Sequence, residues 1–281
     1  MISRGIIFIL IATFAFAIMN ATAKELSDFH PMQVVFFRAL GTFVFIFPTM
    51  LFRKISIIGN NPKFLLLRGL VGVISLSTFF MALQRIPLGS AISIRYLGPI
   101  FGVVMAAYFL KEKVKNLQWV SLIIAFSGVI VLKGFDPRID SLSLGLLLIS
   151  ALFVGMVFVL IRYLTDKEHY MTIINYFMVV TIIVSLFFVN HWRMPLGNEW
   201  YPVVGIGILG LIGQVFMTRA FQTEDTSVLA PFKYMELVWA LIMGYFLFGE
   251  VYSWVPFFGI ILIIIGMLLN VYAKNKKEQS F

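Results

Sequence analysis

Two charged side chains, Lys233 and Glu236, lie three residues apart in the apolar stretch "TSVLAPFKYMELVWALIMGYFLF", residues 226–248. An ionised side chain at the centre of a membrane span costs roughly 2.5–3.5 kcal/mol on insertion scales, so such residues face a partner or a cavity. Arg95, in "IPLGSAISIRYLGPIF", poses the same problem. A lysine and an arginine in this setting can bind a carboxylate or phosphate. The glutamate can meet an amino or sulfonium group, take up a proton, or pair with Lys233 across one helical turn. Arg38, after "VVFF", and Gln214 are deep enough in apolar segments to join them, and Tyr96, Tyr234 and Trp239 offer flat faces to a planar solute. Each cation can instead be structural, held by backbone carbonyls or a lipid phosphate.

The residues exclude several other chemistries. There is no cysteine, so disulfides, thiol catalysis and cysteine metal sites are absent. His30, His169 and His191 fall in connecting segments and never pair at ligand spacing. No Ser/His/Asp set, metal motif or phosphate loop occurs, which argues against an enzyme, and no cofactor is implied. "GIGILG", Gly205–Gly210, matches G-x-G-x-x-G, but a dinucleotide site needs a preceding strand in a βαβ unit. In a membrane span these glycines serve close helix packing.

The elements that carry these residues follow from hydropathy. Of 281 residues, 60% are hydrophobic and 12% charged, against about 25% charged in an average soluble domain. The mean hydropathy is +0.97. Apolar runs long enough to cross roughly 30 Å of hydrocarbon recur throughout. The sequence predicts an all-α integral membrane protein with ten spans, near 5–23, 33–52, 64–84, 90–110, 117–133, 142–162, 171–189, 201–222, 227–248 and 254–273. Arg4 and "ATA" at residues 21–23 give the first span some signal-peptide character, but the spans that follow favour an uncleaved helix. Arg53, Lys54, Lys63, Lys111, Lys113, Lys115, Lys274, Lys276 and Lys277 gather on one side, which places both termini in the cytoplasm. The net charge of +9 therefore reads as topology and contact with membrane lipids, with no separate support for nucleic acid.

Adding 138 to residues 69–128 aligns the two halves without a gap. Gly69 meets Gly207, Gln84 meets Gln222, Arg95 meets Lys233, Tyr96 meets Tyr234 and Glu112 meets Glu250. Glu236 meets Gly98 and has no acidic counterpart. The expected organisation is a first five-span repeat over 1–136, a second over 137–273, and a basic tail over 274–281. Five is odd, so the repeats insert with opposite orientation, as in secondary transporters with a midplane substrate site. Arg95 and Lys233 then each lie about 10 Å deep from opposite faces.

"FFRALGTFVFIFP", "LRGLVGVISLSTFFMAL" and the span ends "LKEKV" and "LFGEV" resemble the drug/metabolite transporter superfamily, in its EamA-type family. The segment around Lys233 is similar to the subgroup containing bacterial S-adenosylmethionine uptake carriers. The resemblance implies a multi-pass protein of the bacterial inner membrane that carries a small organic metabolite, zwitterionic or anionic, by alternating access, with proton coupling open. A lipid-linked substrate flippase is the alternative.

Overall fold

A computed structural model describes residues 3–98, 100–102, 104–105, 116–164, 167–223 and 232–275. Its regular elements are helices: α1 Arg4–Glu25, α2 Pro31–Phe52, α3 Pro62–Leu83, α4 Leu88–Arg95, α5 Asn116–Phe135, α6 Ser141–Leu164, α7 Tyr170–Leu186, α8 Trp200–Thr223, α9 Met235–Phe248 and α10 Trp254–Asn275. Among the described residues, seven helices are long and apolar enough to cross a membrane, and α7 and α9 are shorter apolar helices.

Local chemistry sets the helix starts. Ser3 Oγ accepts from Ile6 N–H at 3.3 Å. Pro31 and Pro62 open α2 and α3, where a missing N–H leaves nothing unpaired. His30 and His169 accept through Nδ1 from the N–H of Met32 and Met171, at 3.3 and 3.2 Å, so both histidines work as caps. Asp140 begins α6 by accepting from Ser143 N–H at 2.9 Å and Ser143 Oγ at 2.6 Å. Those bonds, with Arg85 nearby, hold its carboxyl down at about 2.

Two predicted spans are not continuous helices. Residues 90–110 were expected to form one rod, yet α4 ends at Arg95, Tyr96 and Leu97 form a turn, and helix resumes at 98. Pro99 has no N–H to offer the Arg95 carbonyl, a sufficient reason for the break. In the 227–248 segment, residues 232–233 are helical, Tyr234 is a turn, and α9 begins at Met235. The backbone angles at the two tyrosines nearly coincide, φ −68° and ψ −2° at Tyr96 against φ −69° and ψ −11° at Tyr234. Lys111, Lys113, Lys115, Glu112 and most of the basic tail lie outside the described residues.

Helices from the first half pack mainly on helices from the second. α1 runs along α8 and α9, α2 along α7 and α8, α3 along α6 and α7, α4 between α9 and α6, and α5 along α10. α1 is central: Ala12, Ala15, Met19, Asn20 and Ala23 on it are all buried. Large apolar side chains point outward instead, as with Ile123 at 63% and Ile130 at 71% exposed on α5. That inversion suits a lipid surround. Glycines permit the closest crossings. A Cβ on Gly207, within "GIGILG", would stand 2.8 Å from the Gly41 Cα, and one on Gly155 would stand 2.7 Å from the Gly102 N.

Candidate functional site

The site is built where α4 and α9 break and α1 crosses them. A helix interrupted inside a membrane frees backbone carbonyls and places side chains that a continuous rod would turn away. The Tyr96 hydroxyl, released by the first break, donates to the Lys233 carbonyl at 2.9 Å and stands 2.9 Å from Glu236 Oε2. It thereby ties one broken helix to the other. The Tyr96 and Tyr234 rings meet edge to face, 5.5 Å between centroids and 73° between planes.

Glu236 is 8% exposed. Its other oxygen, Oε1, accepts from Asn20 Nδ2 at 3.0 Å. Among the described residues it forms no ion pair within the 4 Å limit of such a contact, so the one-turn salt bridge to Lys233 is not made. Lys233 Nζ lies 4.7 Å from the centre of the Phe158 ring, and the Arg95 guanidinium lies 4.0 Å over Phe79. Both cations remain within electrostatic range of Glu236. A cation–π contact on this scale contributes roughly 0.5–2 kcal/mol and leaves N–H groups for another acceptor.

Arg38 is buried on α2, with Nε 3.2 Å from the Met19 sulfur, and is within electrostatic range of Arg95 and Glu236. Gln214 lies half-buried on α8, one turn past Gly210, where a Cβ would stand 3.3 Å from Arg38 Cγ. Trp239 packs edge-on against Phe14 of α1, with centroids 5.3 Å apart. The small residues following Arg95 take the packing role: a Cβ on Gly98 would stand 2.6 Å from a Val154 methyl of α6.

Two residues were missed or misplaced in the sequence. Asn20 stands near the end of the predicted first span, a position that suits an interfacial anchor, yet it is buried and bonded to Glu236. The two are 216 positions apart, so no local spacing could relate them. Arg68, on α3, is 5% exposed and was not singled out. It follows Lys63 near the start of a span and so resembles an interfacial anchor, and the 138-residue offset pairs it with Ile206.

The two ends of the bundle differ. At the end where α1 and α9 finish, Lys24 Nζ pairs with Glu250 Oε1 at 2.6 Å and donates to the Ile86 carbonyl at 2.6 Å. Both Glu250 oxygens accept from Leu88 N–H at 2.9 Å, capping α4, and the Ser90 N–H donates to the Tyr252 hydroxyl at 3.1 Å. At the other end a cavity of about 250 Å³ lies between α2, α7 and α8, lined by Phe45, Thr49, Arg53, Tyr170, Val215 and Arg219 among others. Arg38 is two turns deeper on α2 than Phe45. Among the described residues no three His, Asp or Glu side chains converge as metal ligands.

The EamA-like transporter family matches residues 3–133 and again 141–272. The chain belongs to the EamA-like transporter family. Similar members include the pseudopaline exporter CntI of Pseudomonas aeruginosa, 30% identical over 95% of this chain and 96% of that protein. An S-adenosylmethionine uptake transporter of Rickettsia prowazekii is 26% identical over 99% of this chain and 95% of that one. Human solute carrier family 35 member G1 is 25% identical over 97% of this chain and 81% of its own length. A solved crystal structure shares the fold with a TM-score of 0.66 at 16% identity, covering 98% of both chains. EamA membership accounts for the apolar helices and makes this a multi-pass membrane protein related to small-molecule transporters.

Proposed function

We propose that this protein is a secondary transporter that moves a small zwitterionic or anionic metabolite across the bacterial inner membrane by alternating access. The observation that carries the reading is the buried Asn20–Glu236–Tyr96 network at two matched helix breaks, with Arg95 and Lys233 beside it and in no ion pair among the described residues. Arg95 and Lys233 bind the solute's carboxylate, Glu236 receives its amino or sulfonium group or titrates, and Tyr96 and Tyr234 form the aromatic wall. Arg38, Gln214 and Trp239 complete the proposed cavity. S-adenosylmethionine, with a carboxylate, an amine and a sulfonium, has the charges this set would recognise, and a Rickettsia relative is an uptake transporter for it.

Inverted repeats over 1–136 and 137–273 supply the motion in this scheme. Support comes from the pairing of first-half with second-half helices and from the coincident angles at Tyr96 and Tyr234. The Lys24–Glu250 clamp would close one end while the cavity at Arg53 and Arg219 opens the other. The test is uptake by purified protein in liposomes across a metabolite panel. Lys233→Ala is expected to cut uptake of any transported solute at least tenfold, and unaltered uptake would sink the assignment.

One observation favours a second reading, a flippase of a lipid-linked substrate. The cavity sits beside half-exposed Phe45 with Arg53 and Arg219 on its wall, where a lipid phosphate could bind. Accelerated flipping of a fluorescent phospholipid with no soluble uptake would support it.

A further inference from the structure

Two guanidiniums next to the proposed site have too few acceptors. Arg38 is 7% exposed and Arg68 5%. Among the described residues, Arg38 donates through Nε to the Met19 sulfur, a weak acceptor, and no group accepts from its Nη1. Arg68 lies 4.3 Å over the Phe177 ring of α7, and among the described residues no group accepts from its Nε or Nη1. α2 and α3, which carry them, contact each other and both pack on α7. The two charges are within electrostatic range. Glycines make the room: a Cβ on Gly72 would come within 2.5 Å of Arg68 Nη1, and one on Gly210 within 3.3 Å of Arg38 Cγ.

Simple packing does not account for these side chains. Leucine or methionine would fill the same volume without burying charge, whereas an unsatisfied buried donor is costly and a charged one more so. Arg38, Arg95 and Lys233 lie within electrostatic range of one buried acid, Glu236, Arg68 lies within range of Arg38, and none of the four makes an ion pair among the described residues. A planar guanidinium is shaped for carboxylate or phosphate oxygens.

We propose that Arg38 and Arg68 form a second oxyanion subsite, so that the transported solute carries a further carboxylate or phosphate beyond the group held at Arg95 and Lys233. This rests on reading the central cluster as a solute site. It narrows the substrate to a solute with at least two anionic groups, which sets it apart from S-adenosylmethionine with its single carboxylate, and one of those groups lies between α2 and α3 while an amine or other cation meets Glu236.

Thermal unfolding of the detergent-purified full chain tests it at constant ionic strength, with butyrate, succinate, citrate and inorganic phosphate as probes. A bound ligand raises the unfolding temperature by mass action. Succinate or citrate is expected to act at concentrations at least tenfold lower than butyrate. Arg68→Gln should bring the dianion down to the butyrate level while leaving the butyrate response in place, and Arg38→Gln should remove the advantage of the dianion over butyrate. Arg68→Lys, which keeps the charge and loses the planar fork, should weaken succinate at least threefold and serves if the glutamine variant does not fold. Equal responses to butyrate and succinate, no response to either dianion or citrate, or a glutamine variant that keeps the advantage would overturn the subsite. A shift from phosphatidylglycerol in the micelle, with none from the soluble probes, would assign the guanidiniums to a lipid headgroup and overturn it too. Failure of the transport reading shows separately, as absence of uptake in liposomes while the succinate advantage and its loss in the arginine variants persist.

Discussion

At the residue scale, Glu236 has a defined environment and an open question. Its oxygens are engaged by Asn20 and Tyr96, two neutral groups, while Arg95 and Lys233 stay at longer range. A carboxylate held this way keeps a fixed orientation without being neutralised by direct contact, which suits recognition of a solute's positive group. Glu236→Gln preserves the shape and the contact with Asn20 and removes the charge. In the transport reading it should reduce uptake of zwitterionic solutes at least tenfold and spare purely anionic ones, measured in the same liposomes. If Glu236 also carries the proton, the response to an imposed pH gradient disappears in that variant; equal uptake of both solute classes by wild type and variant would remove Glu236 from the site. Only the acid itself could be singled out from the sequence here, because its asymmetry against Gly98 is a property of aligned positions. Its partners are side chains from remote helices, and no spacing rule reaches them.

At the scale of elements, the clamp at the α4 start is the feature to perturb. Glu250 belongs to the link between α9 and α10, Lys24 to α1, and Leu88 to α4, so one carboxylate joins three elements. Removing one partner of a buried pair typically costs roughly 3–5 kcal/mol, because the other charge is left behind. Lys24→Met should therefore lower the unfolding temperature clearly, and Lys24→Met with Glu250→Leu should recover part of the loss. The chain has no cysteine, so a single Ser90→Cys reports the state of this end directly. Maleimide should label that cysteine faster when Lys24→Met is present; an unchanged rate would mean the clamp does not govern access. A second acid does comparable work at the opposite end, where Glu168 accepts from the Asn60 N–H at 2.7 Å and also from Asn61, ahead of α3. Span positions were readable from hydropathy to within a few residues, since a helix in lipid must satisfy its backbone internally and its apolar length is fixed by the bilayer. Hydropathy shows neither break, because both stretches are as apolar as a continuous span; Pro99 signals the one at Tyr96, and no proline follows Tyr234 within its span to signal the other.

For the whole molecule, the interleaving of first-half and second-half helices is what makes the proposed central site possible. Arg95 and Tyr96 come from one half, Lys233 and Glu236 from the other, and α1 lies against α9 to bring Asn20 between them. The basic residues predict that the Lys24–Glu250 end faces outward and the Arg53–Arg219 end faces the cytoplasm. Impermeant maleimide applied to right-side-out vesicles should label single cysteines placed at Arg138 and Asn198 and leave one at Asn60 unreacted until the membrane is permeabilised. The reverse pattern would invert the proposed orientation. Ahead of α8, Arg193 grips Glu199 at 2.8 and 2.7 Å, and that contact holds the Glu199 carboxyl at about 2.

The sequence by itself determined that this is a helical membrane protein, where most helices begin and end, and which charges have no business in lipid. It did so because hydrophobic length, proline and glycine positions and intramembrane charge are local properties. The 138-residue offset also made Arg95 and Lys233, Tyr96 and Tyr234 visible as matched positions. Only the tertiary structure decided what meets what: Asn20 and Tyr96 on Glu236, Lys24 on Glu250, and Arg38 within electrostatic range of Arg68. Those meetings depend on which helix faces cross, and packing between distant segments fixes that choice after every span has formed its own hydrogen bonds.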